Sequence, residues 1–182
     1  MGKQLGFLID LGKCVGCRGC EMACINENRL EQFLYRKVLK ISHNQFHGFL
    51  SMACNHCANP ECLRVCPDRC YRKRRDGIVV HDAAKCSGCR SCVGACPFRA
   101  PAISPRTGKV SKCSFCHGRI DQGLKPCCVA ACIPGALQVI ELTQHQGDAA
   151  VANLPEVSIM RFTKPSVRFI PPRQPVCFWR AT

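Results

Sequence analysis

Most of the cysteines in this chain fall into groups whose spacing could hold a metal centre. Nineteen of the 182 residues are cysteine. Thiolates bind soft metals and iron–sulfur clusters, and in small secreted proteins they pair as disulfides. Four groups of four are Cys14, Cys17, Cys20 and Cys24; Cys54, Cys57, Cys62 and Cys66; Cys86, Cys89, Cys92 and Cys96; and Cys113, Cys116, Cys128 and Cys132.

The spacing within the groups favours iron–sulfur clusters over zinc. A zinc site takes four ligands, usually as two pairs separated by a dozen or more residues. Three cysteines at steps of three residues suit three corners of one cluster held by a tight loop. The third group reads C-x2-C-x2-C-x3-C-P, the ferredoxin spacing whose fourth cysteine ligates the other cluster of a pair. Sixteen cysteine ligands therefore predict four [4Fe–4S] clusters, with zinc or disulfides as the alternatives.

The elements around the groups are predicted to be short. Steps of three and four also occur on one face of a helix, but Gly16 and Gly19 each cost about 1 kcal/mol there, which favours a loop. Small helices are expected to begin near the third cysteine of each group. Pro67 and Pro97, directly after the second and third groups, end such helices. Strands are predicted within residues 33–41, 77–82 and 136–142.

The formal charge of +14 does not by itself indicate a nucleic-acid partner. Four clusters of about −2 each would reduce it to about +6, so much of the basic excess compensates metal sites. The first ten residues lack a basic region followed by a long apolar core, so we expect no signal peptide. No apolar run approaches the roughly 18 residues of a spanning helix. We expect a soluble chain that is cytoplasmic or membrane-associated through partner subunits.

Three cysteines exceed the sixteen predicted ligands. Cys127 and Cys128 compete for one role, and Cys128 is preferred because its distance to Cys132 repeats the spacing of the other groups. Cys70 is predicted to be a small buried residue and Cys177 a free thiol.

Other features carry weaker signals. His56 is predicted either to donate a hydrogen bond to a cluster sulfur or to lie at the surface. Residues 113–117 match the C-x-x-C-H haem motif, but both cysteines belong to the fourth group. The basic residues 69–75 are predicted to form a solvated turn, with a subunit-docking surface as the alternative. With no evident catalytic set, we expect a non-catalytic chain.

The order and spacing of the four groups resemble the iron–sulfur electron-transfer (beta) subunit of the dimethyl sulfoxide reductase family of molybdopterin oxidoreductases. The resemblance covers nearly the whole chain and includes GFLIDLGKCVGCRGCEMAC, CNHCANPECLRVCP, DGIVVHDAAKCSGCRSCVGACPFRAP, KCSFCHGRIDQGLKPCCVAAC and FTKPS. The chain departs from the family pattern in three places. Ile133 displaces the usual proline to Pro134, Arg99 stands where glycine is usual, and Arg69 and Cys70 replace a common Gly-Ala pair.

This resemblance implies an α+β fold of two ferredoxin-like halves with pseudo-twofold nested cysteine motifs. Residues 1–32 and 105–142 would form one half, residues 33–104 the other, and residues 143–182 an extended C-terminal tail that docks on a partner subunit. The implied ligand sets are Cys14, Cys17, Cys20 and Cys132 (cluster 1); Cys24, Cys113, Cys116 and Cys128 (cluster 2); Cys54, Cys57, Cys62 and Cys96 (cluster 3); and Cys66, Cys86, Cys89 and Cys92 (cluster 4).

The resemblance also implies a relay of single electrons. Its partners would be a large molybdopterin (Mo or W) catalytic subunit and either a quinone-reactive membrane-anchor subunit or a soluble redox partner. The same relay in a formate dehydrogenase or hydrogenase-type complex is the nearest alternative, and an autonomous ferredoxin or a zinc-binding regulatory protein are more distant ones. Export together with a partner that carries a twin-arginine signal is also compatible with this family.

Overall fold

The computed structural model describes residues 2–43, 46–144, 150–152, 154 and 161–172. It is a mixed α/β structure, in agreement with the predicted fold class. A three-stranded sheet has the order β8-β1-β9, built from β1 (Leu5–Asp10), β8 (Leu137–Glu141) and β9 (Val167–Ile170). Strand β1 pairs antiparallel with β8 and parallel with β9. All six residues of β1 are buried, because both of its edges are paired and its sequence is apolar.

Three antiparallel hairpins accompany this sheet. They pair β2 (Lys37–His43) with β3 (Phe46–Met52), β4 (Tyr71–Lys73) with β5 (Val79–His81), and β6 (Ala102–Ile103) with β7 (Val110–Ser111). The strands predicted within residues 77–82 and 136–142 are confirmed as β5 and β8. The strand predicted within residues 33–41 begins only at Lys37, because the preceding residues bend and the rings of Phe33 and Tyr35 pack together at 5.6 Å.

Short helices begin at the third cysteine of each group, as predicted. Helices α1 (Gly19–Asn28), α2 (Glu61–Arg64), α3 (Ser91–Ala95) and α5 (Cys127–Ala130) each start one residue before that cysteine, and α4 (His117–Asp121) follows Cys116. Helix α1 packs against α5, and α2 packs against α3. Helices of the first and fourth groups are thus neighbours, as are helices of the second and third, while the division into two ferredoxin-like halves stays a prediction.

The cysteines form part of the buried core. In the larger core, Phe7 of β1 stacks on Phe115 at 4.3 Å between ring centroids. A smaller core contains Cys70, Tyr71 and Cys86. The chain therefore packs around its thiols, as well as around a conventional apolar centre.

Part of the predicted tail packs on this chain itself. Val167 and Phe169 of β9 are buried against β1, and a turn of 3-10 helix (Arg161–Thr163) precedes them. Docking of residues 143–182 on a partner subunit stays a prediction, and Cys177 lies outside the described residues. Within the described ranges, no helix combines the length and apolar character needed to cross a bilayer.

Candidate iron–sulfur centres

The loop between the first two cysteines of every group contains a left-handed backbone turn. The residue before the second cysteine has φ of 73° at Gly16, 41° at His56, 82° at Gly88 and 61° at Phe115. Only glycine adopts this conformation without a steric penalty. In the second and fourth groups the penalty is borne by His56 and Phe115, whose rings pack edge to face at 5.1 Å. Gly16 predicted this loop in the first group, and its occurrence in the other three groups is seen only in the structure.

Two cavities are lined by four cysteines each. Each combines the first three cysteines of one group with the last cysteine of another. The first is lined by Cys14, Cys17, Cys20 and Cys132, and the second by Cys54, Cys57, Cys62 and Cys96. Four thiols around one cavity are the donor set of a [4Fe–4S] cluster, so these residues fit such a group. Ligation itself stays a prediction.

Most cysteines of the other two predicted ligand sets are also close to one another. In one set, Cys24, Cys116 and Cys128 lie within electrostatic reach of one another, and Cys113 lies within reach of Cys128. In the other, Cys92 lies within reach of Cys66 and Cys89, while the thiol of Cys86 lies within 4.8 Å of that of Cys70. Helix packing thus brings cysteines that are far apart in sequence close together in space.

Cys127, which was not the preferred ligand, lies close to a cysteine of the second ligand set. Its Sγ is 3.5 Å from that of Cys116. The Cys127 thiol donates a hydrogen bond that, with the Arg36 charge, lowers the pKa of Cys128 to about 6 despite burial. Both cysteines therefore contact this set, and the preference for Cys128 as the ligand stays a prediction.

Cys70 is buried, as predicted, and contacts a predicted ligand. Its backbone N–H donates to the Sγ of Cys66 at 3.3 Å. Burial raises the pKa of the Cys70 thiol to about 12, so this thiol keeps its proton at neutral pH. The thiol of Cys70 is correspondingly a poor nucleophile.

Burial controls the protonation of several predicted ligands. It raises the pKa of Cys57 and Cys62 to about 12 and raises that of Cys113 as well. Metal binding requires thiolates, so these thiols must release protons when they bind iron. Binding of iron by these thiols is therefore coupled to proton release and to folding.

His56 is fully buried, which excludes the predicted surface location. Its Nδ1 accepts a hydrogen bond from the backbone N–H of Val79 at 3.1 Å, and burial lowers the pKa of the ring well below its usual range. The neutral ring consequently carries its proton on Nε2, which has no hydrogen-bond partner within the described part of the chain. His56 also lines the second cavity, so donation to a cluster sulfur remains the prediction for this residue.

Two buried cations were not predicted from the sequence. Arg36 lies near Cys20, Cys113 and Cys128, and the negative charge of their thiolates raises the pKa of its guanidinium although burial opposes this. Lys112 lines the second cavity, and its Nζ donates to the backbone carbonyls of Val79 and Cys113. Arg36 lies in the segment predicted to be a strand and Lys112 directly precedes the fourth cysteine group, and no local pattern marked either residue as a buried cation.

Two of the departures from the family pattern have a structural explanation. Arg69 and Arg99 follow the fourth cysteines of the second and third groups by three residues. They have φ of 49° and 48°, and Gly135 at the matching position of the fourth group has φ of 65°. The left-handed backbone explains why glycine is usual there, and the arginines adopt it with strain.

Comparison with known proteins identifies similar iron–sulfur proteins. Residues 45–142 match the family described as 4Fe-4S dicluster domain. The sequence is 39% identical to one chain of the anaerobic dimethyl sulfoxide reductase of Escherichia coli (strain K12), over 92% of this protein and 88% of that one. It is 36% identical to the formate dehydrogenase iron-sulfur subunit of Wolinella succinogenes, over 74% of this protein and 80% of that one. It is 42% identical to one subunit of the tetrathionate reductase of Salmonella typhimurium, over 73% of this protein and 56% of that one.

Proposed function

Because the protein belongs to the 4Fe-4S dicluster family and to the iron–sulfur subunits of the dimethyl sulfoxide reductase type, we propose that it relays single electrons within an oxidoreductase complex. The family resemblance identified from the sequence is confirmed by relatives that align along most of the chain. The catalytic reaction would take place on another subunit.

The observation that carries this proposal is the sharing of cysteines between groups. Each of the two cavities combines thiols from two groups, as in paired ferredoxin clusters. A zinc-binding regulatory protein would instead hold isolated, closed tetrahedral sites. The four ligand sets would bind four [4Fe–4S] clusters, which accept and release one electron each when bound.

On this proposal, electrons pass along the ligand sets in the order 1, 2, 3, 4. Cys20 of set 1 lies within electrostatic reach of Cys128 of set 2, and Cys113 of set 2 within reach of Cys54 of set 3. Tyr71 faces cysteines of sets 3 and 4. On this proposal, neighbouring sets form a continuous chain of redox sites.

One end of this series is accessible to a partner. Cys17 of set 1 is exposed, and beside it Val15 and Ile133 are 65% and 97% exposed. We propose that a large molybdopterin subunit and a membrane-anchor or soluble redox partner take up positions at opposite ends of the series. A formate dehydrogenase complex is the second candidate, because the formate dehydrogenase iron-sulfur subunit is among the relatives.

Iron and acid-labile sulfide analysis of the anaerobically purified protein tests the proposal. Four clusters require about 16 iron atoms per chain, and a value near 8 would remove half of the relay. Cys132→Ser should abolish the signal of one cluster in electron paramagnetic resonance of the reduced protein. Cys70→Ser is the matched control and should retain the full iron content. Cys128→Ser should lose a cluster and Cys127→Ser should keep it, and the reverse result would reassign that ligand.

A further inference from the structure

Arg36 is a buried cation fixed in one position. It is 1% exposed, and its Nη1 donates to the backbone carbonyl and to Oγ of Ser51, both at 3.1 Å. Its Cζ lies 4.5 Å from the ring centroid of Phe7. The register of the β2–β3 hairpin pairs Ser51 with Val38, two residues after Arg36, and so holds Ser51 near the guanidinium.

No carboxylate neutralises this guanidinium in the part of the chain that the structure describes. The ion pairs found there all involve other basic residues. The Nη2 of Arg36 is buried without a hydrogen-bond partner. Because an unpaired buried charge is strongly destabilising, another anionic group must compensate it.

The candidate anionic groups belong to two different ligand sets. Cys20 of set 1 lies within electrostatic reach of Arg36, and its Sγ is 3.3 Å from the Oγ of Ser51. Cys113 and Cys128 of set 2 also lie within electrostatic reach of the guanidinium. Arg36 consequently stands between the first and second cysteine sets.

We propose that Arg36 raises the reduction potentials of the two clusters held by these sets. The inference rests on the proposed function, since it requires clusters at both places. A fixed positive charge in a medium of low dielectric constant stabilises the more negative, reduced form of its neighbour. Net charge and hydrogen bonds to sulfur are the levers by which a protein sets cluster potentials.

Arg36→Gln tests the charge with the least disturbance of packing, because the glutamine amide can still donate to Ser51. Redox titration of the holoprotein, monitored by electron paramagnetic resonance, should show lower midpoint potentials for the clusters of sets 1 and 2. The expected shift is at least a tenfold change in the reduction equilibrium, about 59 mV for a one-electron couple. The cluster of set 4 should be unchanged.

Lys37→Gln is the matched control, since Lys37 is the next residue along the chain and is exposed. It removes the same formal charge where water screens it, and all potentials should stay at their wild-type values. Arg36→Lys keeps the charge, and the reduction equilibrium of each cluster should change less than threefold.

The outcomes separate this inference from the proposed function. Wild-type protein without about 16 iron atoms contradicts the proposed function. Arg36→Gln with full iron and unchanged potentials contradicts only the role of Arg36. If Arg36→Gln does not retain its clusters, Arg36→Lys decides: potentials close to wild type support the inference, and a tenfold shift despite the retained charge overturns it.

Discussion

Gly16 is the residue whose replacement should most directly disturb the first cluster loop. Its φ is +73°, and a Cβ at this position would lie 2.7 Å from carbon atoms of the Phe49 ring. The left-handed conformation costs an L-residue about 1–2 kcal/mol, and overpacking typically adds about 1–3 kcal/mol. Gly16→Ala should therefore destabilise the loop by about 3 kcal/mol in total.

The effect can be measured as the rate of cluster release from the holoprotein in guanidinium under anaerobic conditions. Because about 1.4 kcal/mol corresponds to a tenfold change in rate, release should be about a hundredfold faster if the loop opens before the cluster leaves. A kinetic readout is appropriate, since proteins with tightly bound metal centres do not unfold in a simple two-state manner.

A second substitution separates the two contributions. Gly16→Ala combined with Phe49→Leu should recover the overpacking part and leave about tenfold from the backbone conformation. Gly118→Ala is the control, because a Cβ there meets nothing within 4 Å, and its release rate should change less than about threefold. Release from Gly16→Ala at the wild-type rate would refute the structure of this loop, and a double variant as fast as the single one would refute the contact with Phe49.

Two further predictions concern backbone strain and the metal itself. Arg99→Gly should slow cluster release a few-fold, because relief of the left-handed strain at φ 48° exceeds the entropic cost of glycine by about 0.5–1 kcal/mol. Arg106→Gly is the control, because Arg106 does not have a positive φ, and it should not slow release. Faster cluster release from Arg99→Gly would contradict this reasoning. Removal of iron with a chelator should unfold the chain, because metal binding supplies folding free energy. Circular dichroism during heating checks this, and an iron-free protein with the same cooperative melt as the holoprotein would contradict it.

Much of the local structure could be predicted from short-range patterns. The helices begin at the third cysteine of each group, and Gly16 occupies a left-handed position, because backbone sterics and cysteine spacing act over a few residues. The same reasoning could not find His56 and Phe115 at equivalent left-handed positions. Their packing against each other, 59 residues apart in sequence, is a long-range contact.

The sequence by itself determined the donor chemistry, the family and the cysteines available as ligands, because thiol type and spacing are local properties. The family resemblance implied that Cys132 joins Cys14, and the tertiary structure places both at one cavity. Only the tertiary structure decided that β9 completes the central sheet. It also decided that Arg36 is buried without a carboxylate partner in the described residues. Burial and electrostatic compensation depend on which distant segments pack together, and here helix packing and hairpin register bring those segments to the cysteines.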